Sequence, residues 1–168
     1  MEPVTRPSLR MVPTADRDGV ATVEAVYREH ADRLWRSVRA YAGDADVASD
    51  AVAEAFAQLL RRGDEVRDPA AWVWRTAFRI AAGELKVRRD RATEPEVDVA
   101  ASPQPEPEVL DLLRALAQLS PTQRAAVVLH DYAGFPAREA AQMCGSTEAA
   151  VRVHLMRARR KLRSLLAD

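Results

Sequence analysis

The chain has 168 residues, of which 25 are Lys or Arg and 25 are Asp or Glu, so its formal net charge is zero. A chain of this length forms one ordinary domain or two small ones. Aromatic residues make up only 5% and six residues are glycine, a composition that disfavours a β-sandwich or barrel and favours helices. The single cysteine, Cys144, excludes an intramolecular disulfide framework, and no apolar run reaches the roughly 20 residues of a membrane span. We therefore expect a soluble, cytoplasmic, all-α protein.

The first segment, residues 1–19, predicts a flexible tail, because prolines and arginines interrupt any apolar signal core. Met11 lies inside this tail, which leaves open whether Met1 or Met11 is the first residue of the protein.

The next segment, residues 20–91, predicts a helical domain. Gly43 and Gly63 are expected to end its first two helices. Asp68 and Pro69 begin a third helix, with an N-cap followed by proline in the first turn. The expected buried stripe of the first helix consists of Val20, Val23, Tyr27, Leu34, Val38 and Tyr41.

A change in composition separates this domain from the rest of the chain. Residues 92–111 hold six acidic residues and no basic one, and four prolines fall between positions 95 and 107. Proline removes a backbone donor and biases the residue before it to extended conformations, while like charges repel each other. We expect residues 92–107 to form an acidic, Pro-rich linker between two small helical domains.

The remaining segment, residues 108–168, predicts a second helical domain. The sequence SPTQ at 120–123 has the pattern of a capping box with proline in the first turn. We expect the helix that starts there to end near Gly134. A short helix over 136–144 and a long one from Thr147 to about residue 166 follow.

Helix-turn-helix spacing joins these last two helices. Ala141 is small where the helices cross, Gly145 permits the positive φ of a three-residue turn, and Val151 faces the first helix as a β-branched plug. Residues 152–163 of the second helix contain six basic residues and no acid. This combination predicts DNA binding. Cys144 closes the supporting helix and is expected to pack in the core rather than to act as a redox sensor.

Both domains resemble the bacterial sigma factors of the sigma-70 family, extracytoplasmic-function (ECF) group. The segment AVRVHLMRARRKLR at 150–163 resembles the end of sigma region 4, and LSPTQR at 119–124 opens that domain in the family's manner. The segments that resemble region 2, in order and spacing, are YREH at 27–30, ASDAVAEAF at 48–56 and AWVWR at 71–75.

The resemblance implies a dissociable subunit that binds core RNA polymerase and directs promoter recognition and transcription initiation. In this family, region 2 docks on the clamp of the largest polymerase subunit and opens the −10 element, while region 4 binds the −35 element. The resemblance further implies an anti-sigma factor as a partner, no cofactor, no metal, and no membrane contact except through that partner. The positions that match the polymerase-docking helix are Asp50, Glu54 and Phe56.

Candidate DNA contacts follow from the same match. In the first domain, rings and guanidinium groups suit melted DNA because bases stack on the former and phosphates pair with the latter. Trp72 is expected in the core. The candidate −10 contacts are Trp74, Arg75, Phe78, Arg79, Lys86, Arg88 and Arg89.

In the recognition helix, Arg152 and His154 are expected to continue one face beyond the first turn, and later basic residues to hold phosphates. The candidate −35 contacts are Ser146, Thr147, Glu148, Arg152, His154, Arg157, Arg160 and Lys161.

Other interpretations remain open. An enzyme is disfavoured, because the histidines are scattered and no phosphate loop, nucleophile elbow or metal-ligand cluster occurs. A helix-turn-helix regulator that is not a polymerase subunit fits the second domain equally well, and a sigma-like protein that only sequesters partners is a third interpretation. Departures from the family pattern at Ala53, Arg79 and Gly83 leave the −10 preference and the strength of polymerase docking open.

Overall fold

The computed structural model describes residues 17–91 and 106–167. The helices of the first domain are α1 (Arg17–Ala42), α2 (Ala45–Arg62) and α3 (Pro69–Arg91). Those of the second domain are α4 (Pro107–Ala117), α5 (Pro121–Val127), α6 (Ala137–Cys144) and α7 (Glu148–Leu166). The predicted all-α fold class is confirmed. No helix in the described ranges is long and apolar enough to span a bilayer.

The predicted tail and linker lie outside the described ranges except at their last few residues, which belong to α1 and to the start of α4. The first helix thus begins at Arg17, slightly earlier than the domain boundary expected at residue 20.

Helices α1, α2 and α3 pack against one another, and their ends lie where the sequence indicates. Gly43 follows α1 with a φ of 73°, the left-handed conformation that glycine adopts readily. The Asp44 carboxylate caps α2 by accepting two backbone hydrogen bonds from its first turn, at 2.8 and 3.0 Å. Asp68 accepts a hydrogen bond from the Ala71 N–H at 3.1 Å and so caps α3.

The apolar stripe predicted for α1 is buried only in part. Leu34 and Val38 are fully buried, but Val20 and Tyr27 are 39% and 56% exposed, so their assignment to the core is wrong. Tyr27 lies at the rim, where its ring contacts that of Phe56 edge-on with the centroids 5.0 Å apart. The tyrosine therefore covers the core from the solvent side instead of entering it.

In the second domain the predicted capping box is present. Ser120 and Gln123 exchange side chain-to-backbone hydrogen bonds, both at 3.3 Å. After Val127 the helix does not continue as a regular α-helix but widens into a π-helical turn, Val128–Tyr132. The π-helical turn was not predicted, because apolar spacing over five residues does not distinguish it from an α-helical turn.

One continuous apolar core runs through both domains. Helix α3 packs against α6, and α1 contacts the π-helical turn, α4 and α5. A three-helix bundle buries a small fraction of its surface, so sharing a core increases the apolar area that each domain removes from water.

Asp44 also connects the start of α2 with the end of α3. Arg88 near the end of α3 donates a hydrogen bond to the Asp44 carboxylate at 2.6 Å and another to Glu84 at 3.2 Å. Burial alone raises the pKa of Asp44, but the hydrogen bonds from the Val47 backbone and from Arg88 outweigh burial and hold that pKa below its usual value. Arg88 thus has internal partners, but its side chain is 48% exposed, so its assignment as a DNA contact stays a prediction.

The Asp44–Arg88 pair predicts a pH-dependent stability. Because the folded pKa of Asp44 lies below the unfolded value of about 3.9, the pair stabilises the fold above that pH, and the stabilisation is lost as the pH falls through the folded pKa. Asp44→Asn keeps a capping oxygen but loses the charge, and we expect it to unfold about 1 kcal/mol more easily at pH 7. The difference should shrink towards pH 3 in urea titrations followed by circular dichroism.

A matched control is Asp111→Asn, since Asp111 forms only an exposed pair with Arg114 at 3.3 Å. We expect a change of a few tenths of a kcal/mol at either pH. A penalty for Asp44→Asn that stays constant from pH 7 to pH 3 would contradict the prediction.

Candidate nucleic-acid interface

The turn between α6 and α7 has the predicted helix-turn-helix geometry. Gly145 adopts φ 64° and ψ 38°, a left-handed conformation. The Ser146 N–H donates to the Ala141 carbonyl oxygen at 2.9 Å and closes α6. Thr147 caps α7 by accepting a hydrogen bond from the Ala150 N–H at 3.2 Å. Val151 is 1% exposed and forms the predicted plug between the helices.

Helix α7 buries one side and exposes a basic one. Its buried residues are Val151, Leu155 and Ala158. Some of its basic residues have internal partners. Arg152 donates to Glu148 at 2.7 Å, and Arg159 makes two hydrogen bonds to Asp131 at 2.5 and 3.0 Å.

Three arginines of α7 remain available. Arg157, Arg160 and Arg163 are exposed, and the structure gives them no ion-pair partner within the described ranges. Lys161 instead donates to the Gln118 carbonyl oxygen. The availability of Arg157 and Arg160 fits the predicted role of phosphate contacts, whereas the Asp131 pair explains why Arg159 belongs to the internal structure of the domain.

His154 lies away from the exposed basic side. Residues two apart on an α-helix project about 200° apart, so Arg152 and His154 do not share a face. The His154 side chain is half-buried, and its Nδ1 is shielded from solvent without a hydrogen-bond partner in the part of the chain that the structure describes. The expectation that His154 continues the face of Arg152 is therefore wrong.

Along α3 the candidate −10 contacts divide into two groups. Trp74 is 1% and Phe78 4% exposed, so neither ring is available for a base to stack on in this arrangement. Trp72, expected in the core, is only partly buried. The exposed basic candidates are Arg75, Arg79, Lys86, Arg88 and Arg89, of which Arg88 pairs with Asp44 and Glu84.

The second domain contributes to the burial of Trp74. Its ring contacts the Phe135 ring at 4.7 Å between centroids and an interplanar angle of 74°. The Arg33 guanidinium of α1 lies 5.2 and 5.4 Å from the centroids of these two rings. The Trp74 Nε1–H donates to His30 Nδ1 at 3.2 Å, so the one donor of the indole is used internally. We call Arg33, Trp74 and Phe135 the interdomain junction.

Arg124 forms a second contact between the domains. It donates to the carbonyl oxygen of Tyr41 at 2.9 Å and to that of Leu119 at 3.3 Å. The Tyr41 carbonyl is one of the last in α1, where the negative end of the helix dipole favours a cation. Burial lowers the pKa of Arg124. Nearby, burial raises the pKa of the Cys144 thiol to about 11, which suits the packing role expected for it.

The predicted polymerase-docking residues lie on α2 beside an open groove between α1 and α2. Tyr27, Trp35 and Val52 are among the residues that line it. Asp50 and Glu54 are exposed. Hydrogen bonds from Gln58 at 2.9 Å and Arg61 at 3.0 Å hold the pKa of the Glu54 carboxyl below its usual value.

Phe56 behaves differently from these two acidic residues. It is 6% exposed beneath Tyr27, so its assignment as a direct docking contact is corrected to that of a core residue that supports the groove.

Sequence reasoning missed four residues of these surfaces. Arg33 and Phe135 lie on different domains, and no local pattern indicates that they meet. Val153 and Met156 are 41% and 56% exposed on α7. Their exposure could have been predicted from the sequence, because a helical projection places both residues on the side opposite to the buried stripe.

Comparisons with known proteins find relatives over most of the chain. A family model described as Sigma-70, region 4 matches residues 110–162. The ECF RNA polymerase sigma factor SigL of Mycobacterium tuberculosis (strain ATCC 35801 / TMC 107 / Erdman) is 32% identical over 160 residues, covering 88% of this chain and 90% of SigL. The probable ECF RNA polymerase sigma factor SigI of Mycobacterium tuberculosis (strain CDC 1551 / Oshkosh) is 34% identical over 154 residues. That match covers 76% of this chain and 52% of SigI, so the chain spans about half the length of this relative.

The fold is similar to that of a solved structure. The sigma factor RpoE from Bartonella quintana, in complex with the anti-sigma factor NepR, superposes with a TM-score of 0.73 at 21% identity, covering 90% of this chain and 98% of that one. This likeness shows a shared fold over both helical domains.

Proposed function

Because this chain belongs to the ECF family of RNA polymerase sigma factors, we propose that it binds core RNA polymerase and directs promoter recognition and transcription initiation. The second domain binds the −35 element through α7, and the first domain binds the polymerase and the −10 element. The protein catalyses no reaction of its own and acts in the cytoplasm.

The observation that carries this proposal is the exposed basic side of α7, the second helix of a helix-turn-helix. Such a helix enters the major groove with its N-terminal turn towards the base edges, while basic residues further along reach the phosphates. The proposed −35 contacts are Ser146, Thr147, Glu148, Arg152, Arg157, Arg160 and Lys161. The proposed −10 contacts among exposed residues of α3 are Arg75, Arg79, Lys86, Arg88 and Arg89.

We assign polymerase docking to the groove between α1 and α2 and to the acidic residues beside it. Asp50 and Glu54 supply negative charge at the exposed side of α2, and Tyr27 and Trp35 supply apolar area within reach. Apolar area with a charged rim is the usual composition of a protein–protein interface.

An anti-sigma protein is the further partner that we propose. The Bartonella quintana relative is described in complex with one. The groove and the exposed side of α7 are the surfaces whose occupation would block polymerase docking and −35 binding, respectively.

Reconstitution tests the proposal directly. Purified chain and core RNA polymerase are mixed with fragmented genomic DNA, and the 5′ ends of the transcripts are mapped. We expect transcripts from defined sites that share upstream sequences. Binding to DNA without binding to the core enzyme and without new transcripts would favour the helix-turn-helix regulator instead.

The docking assignment predicts a charge-specific effect. Asp50→Lys reverses the charge beside the groove, and we expect it to weaken binding to core polymerase by about tenfold or more, since charge reversal in a complementary interface costs at least 1–2 kcal/mol. The affinity is measured by fluorescence anisotropy of labelled chain. Asp64→Lys makes the same charge change on an exposed residue after α2 and should leave the affinity within about twofold. Equal losses in both variants would contradict the assignment.

The α7 contacts predict a difference in salt dependence. Arg157→Ala removes an available phosphate contact, so the slope of log affinity against log salt should become shallower by about 0.9. Arg159→Ala removes a residue already paired with Asp131, and its slope should stay close to that of the wild type. A shallower slope for Arg159→Ala than for Arg157→Ala would show that the ion pair opens on DNA.

A further inference from the structure

The exposed side of α7 is not uniformly basic. Val153 and Met156 are 41% and 56% exposed, on the side opposite to buried Val151 and Leu155. On an ideal helix the two project about 60° apart, and Arg160 projects between them further along. This apolar pair therefore occupies the centre of the outward face of the recognition helix.

Charged residues border the apolar pair on both sides. Arg152 and Arg157 project about 40–100° away on either flank. Arg152 is paired with Glu148 at 2.7 Å, whereas Arg157 is exposed without an ion-pair partner among the described residues. A helix that approaches DNA with its arginines on phosphates thus brings Val153 and Met156 towards the floor of the major groove.

The chemistry of that floor determines what an apolar pair recognises. Base edges in the major groove present hydrogen-bond donors and acceptors, and the apolar group among them is the C5-methyl of thymine. Neither Val153 nor Met156 has a strong hydrogen-bonding atom, so neither side chain distinguishes the polar edges of the other bases.

We propose that Val153 and Met156 determine part of the −35 specificity by packing on thymine methyl groups, with Met156 the larger contributor. This inference rests on the proposed function. It assigns at least one thymine of the −35 element to an apolar contact that the polar residues of the first turn do not supply.

Replacing thymine by deoxyuracil tests the inference, since it removes the methyl group and leaves base pairing intact. The −35 sequence is first obtained from the promoters that the chain and core polymerase select from genomic DNA. Promoters carrying deoxyuracil at each −35 thymine in turn are then bound to the holoenzyme. We expect one or two positions at which wild type loses about three- to fivefold in affinity, the effect of one buried methyl group.

Variants connect that loss to the side chains. Met156→Ala should bind the thymine promoter more weakly and no longer distinguish thymine from deoxyuracil at the sensitive position. Arg157→Ala should weaken both DNAs equally. Three outcomes would each overturn the inference while initiation itself continues. The selected −35 elements contain no thymine, the wild type binds deoxyuracil promoters as tightly as thymine promoters, or Met156→Ala still distinguishes thymine from deoxyuracil as well as the wild type does. Failure to initiate from any promoter would instead overturn the proposed function.

A different observation supports a second inference. The rings that match the −10 contacts, Trp74 and Phe78, are 1% and 4% exposed, and α6 and Phe135 of the second domain pack on α3 with the Phe135 ring against Trp74. Bases stack on aromatic rings only where a face is exposed. The arrangement described here therefore presents the recognition helix but not these rings.

We infer that the interdomain junction is an autoinhibitory contact, which must open before the Trp74 ring meets single-stranded DNA. The exposed Arg33 guanidinium packs on the Trp74 and Phe135 rings from the solvent side. Replacing Arg33 by alanine therefore weakens the junction without disturbing either domain's core. Phe135 supplies the covering ring itself.

The test measures binding of the full chain to a labelled 15-nucleotide single-stranded DNA of random sequence, together with acrylamide quenching of tryptophan fluorescence. We expect Phe135→Ala to bind severalfold more tightly and to be quenched more strongly, with Arg33→Ala intermediate. Tyr132→Ala, at an exposed ring just before the junction, should match the wild type. Stronger quenching without tighter binding would show an open junction that releases no DNA site and would overturn the inference. Unchanged quenching and binding in folded Arg33→Ala and Phe135→Ala would do the same.

Discussion

The packing of Trp74 against Phe135 is the contact on which the arrangement of the two domains depends. It places the largest fully buried side chain of the described residues at the boundary between the domains, with Arg33 over both rings and His30 accepting from the indole. Each domain is a small helical bundle with limited apolar area to bury. The shared core therefore stabilises both domains, but it buries the Trp74 ring, which the sequence predicts as a −10 contact.

Some arginines form internal ion pairs and others are left without one among the described residues. Asp44 and Asp131 pair with Arg88 and Arg159, whose side chains stay 48% and 47% exposed. Arg157 has no such partner in the described ranges, so its guanidinium is free to pair with a phosphate. A zero net charge thus accompanies a strongly basic surface on α7, because the acidic residues lie elsewhere in the chain.

Local features of the fold could be predicted from the sequence because the residues that determine them are neighbours in the chain. The cap at Asp44, the capping box at Ser120 and the left-handed turn at Gly145 each require a few adjacent residues of the right type. Features that depend on a second domain could not be predicted in this way. The contact of Trp74 with Phe135 joins residues far apart in the chain, and apolar spacing alone does not show that Tyr27 is at the rim. His154 is a different case, since its helical position relative to Arg152 was sufficient to exclude a common face.

The two proposed DNA-binding surfaces differ in whether the domain contact affects them. Val153 and Met156 are exposed while Trp74 is buried, so on the inferences above duplex DNA meets a preformed surface on α7, whereas melted DNA requires the junction to separate. Opening the junction exposes apolar area and therefore costs free energy, which, on the proposed function, binding to the polymerase offsets. A partner that holds the domains apart consequently favours strand separation, and one that holds them together opposes it without any contact to α7. Domain opening and strand separation are coupled in this way because the Trp74 ring belongs both to the shared core and to the proposed DNA site.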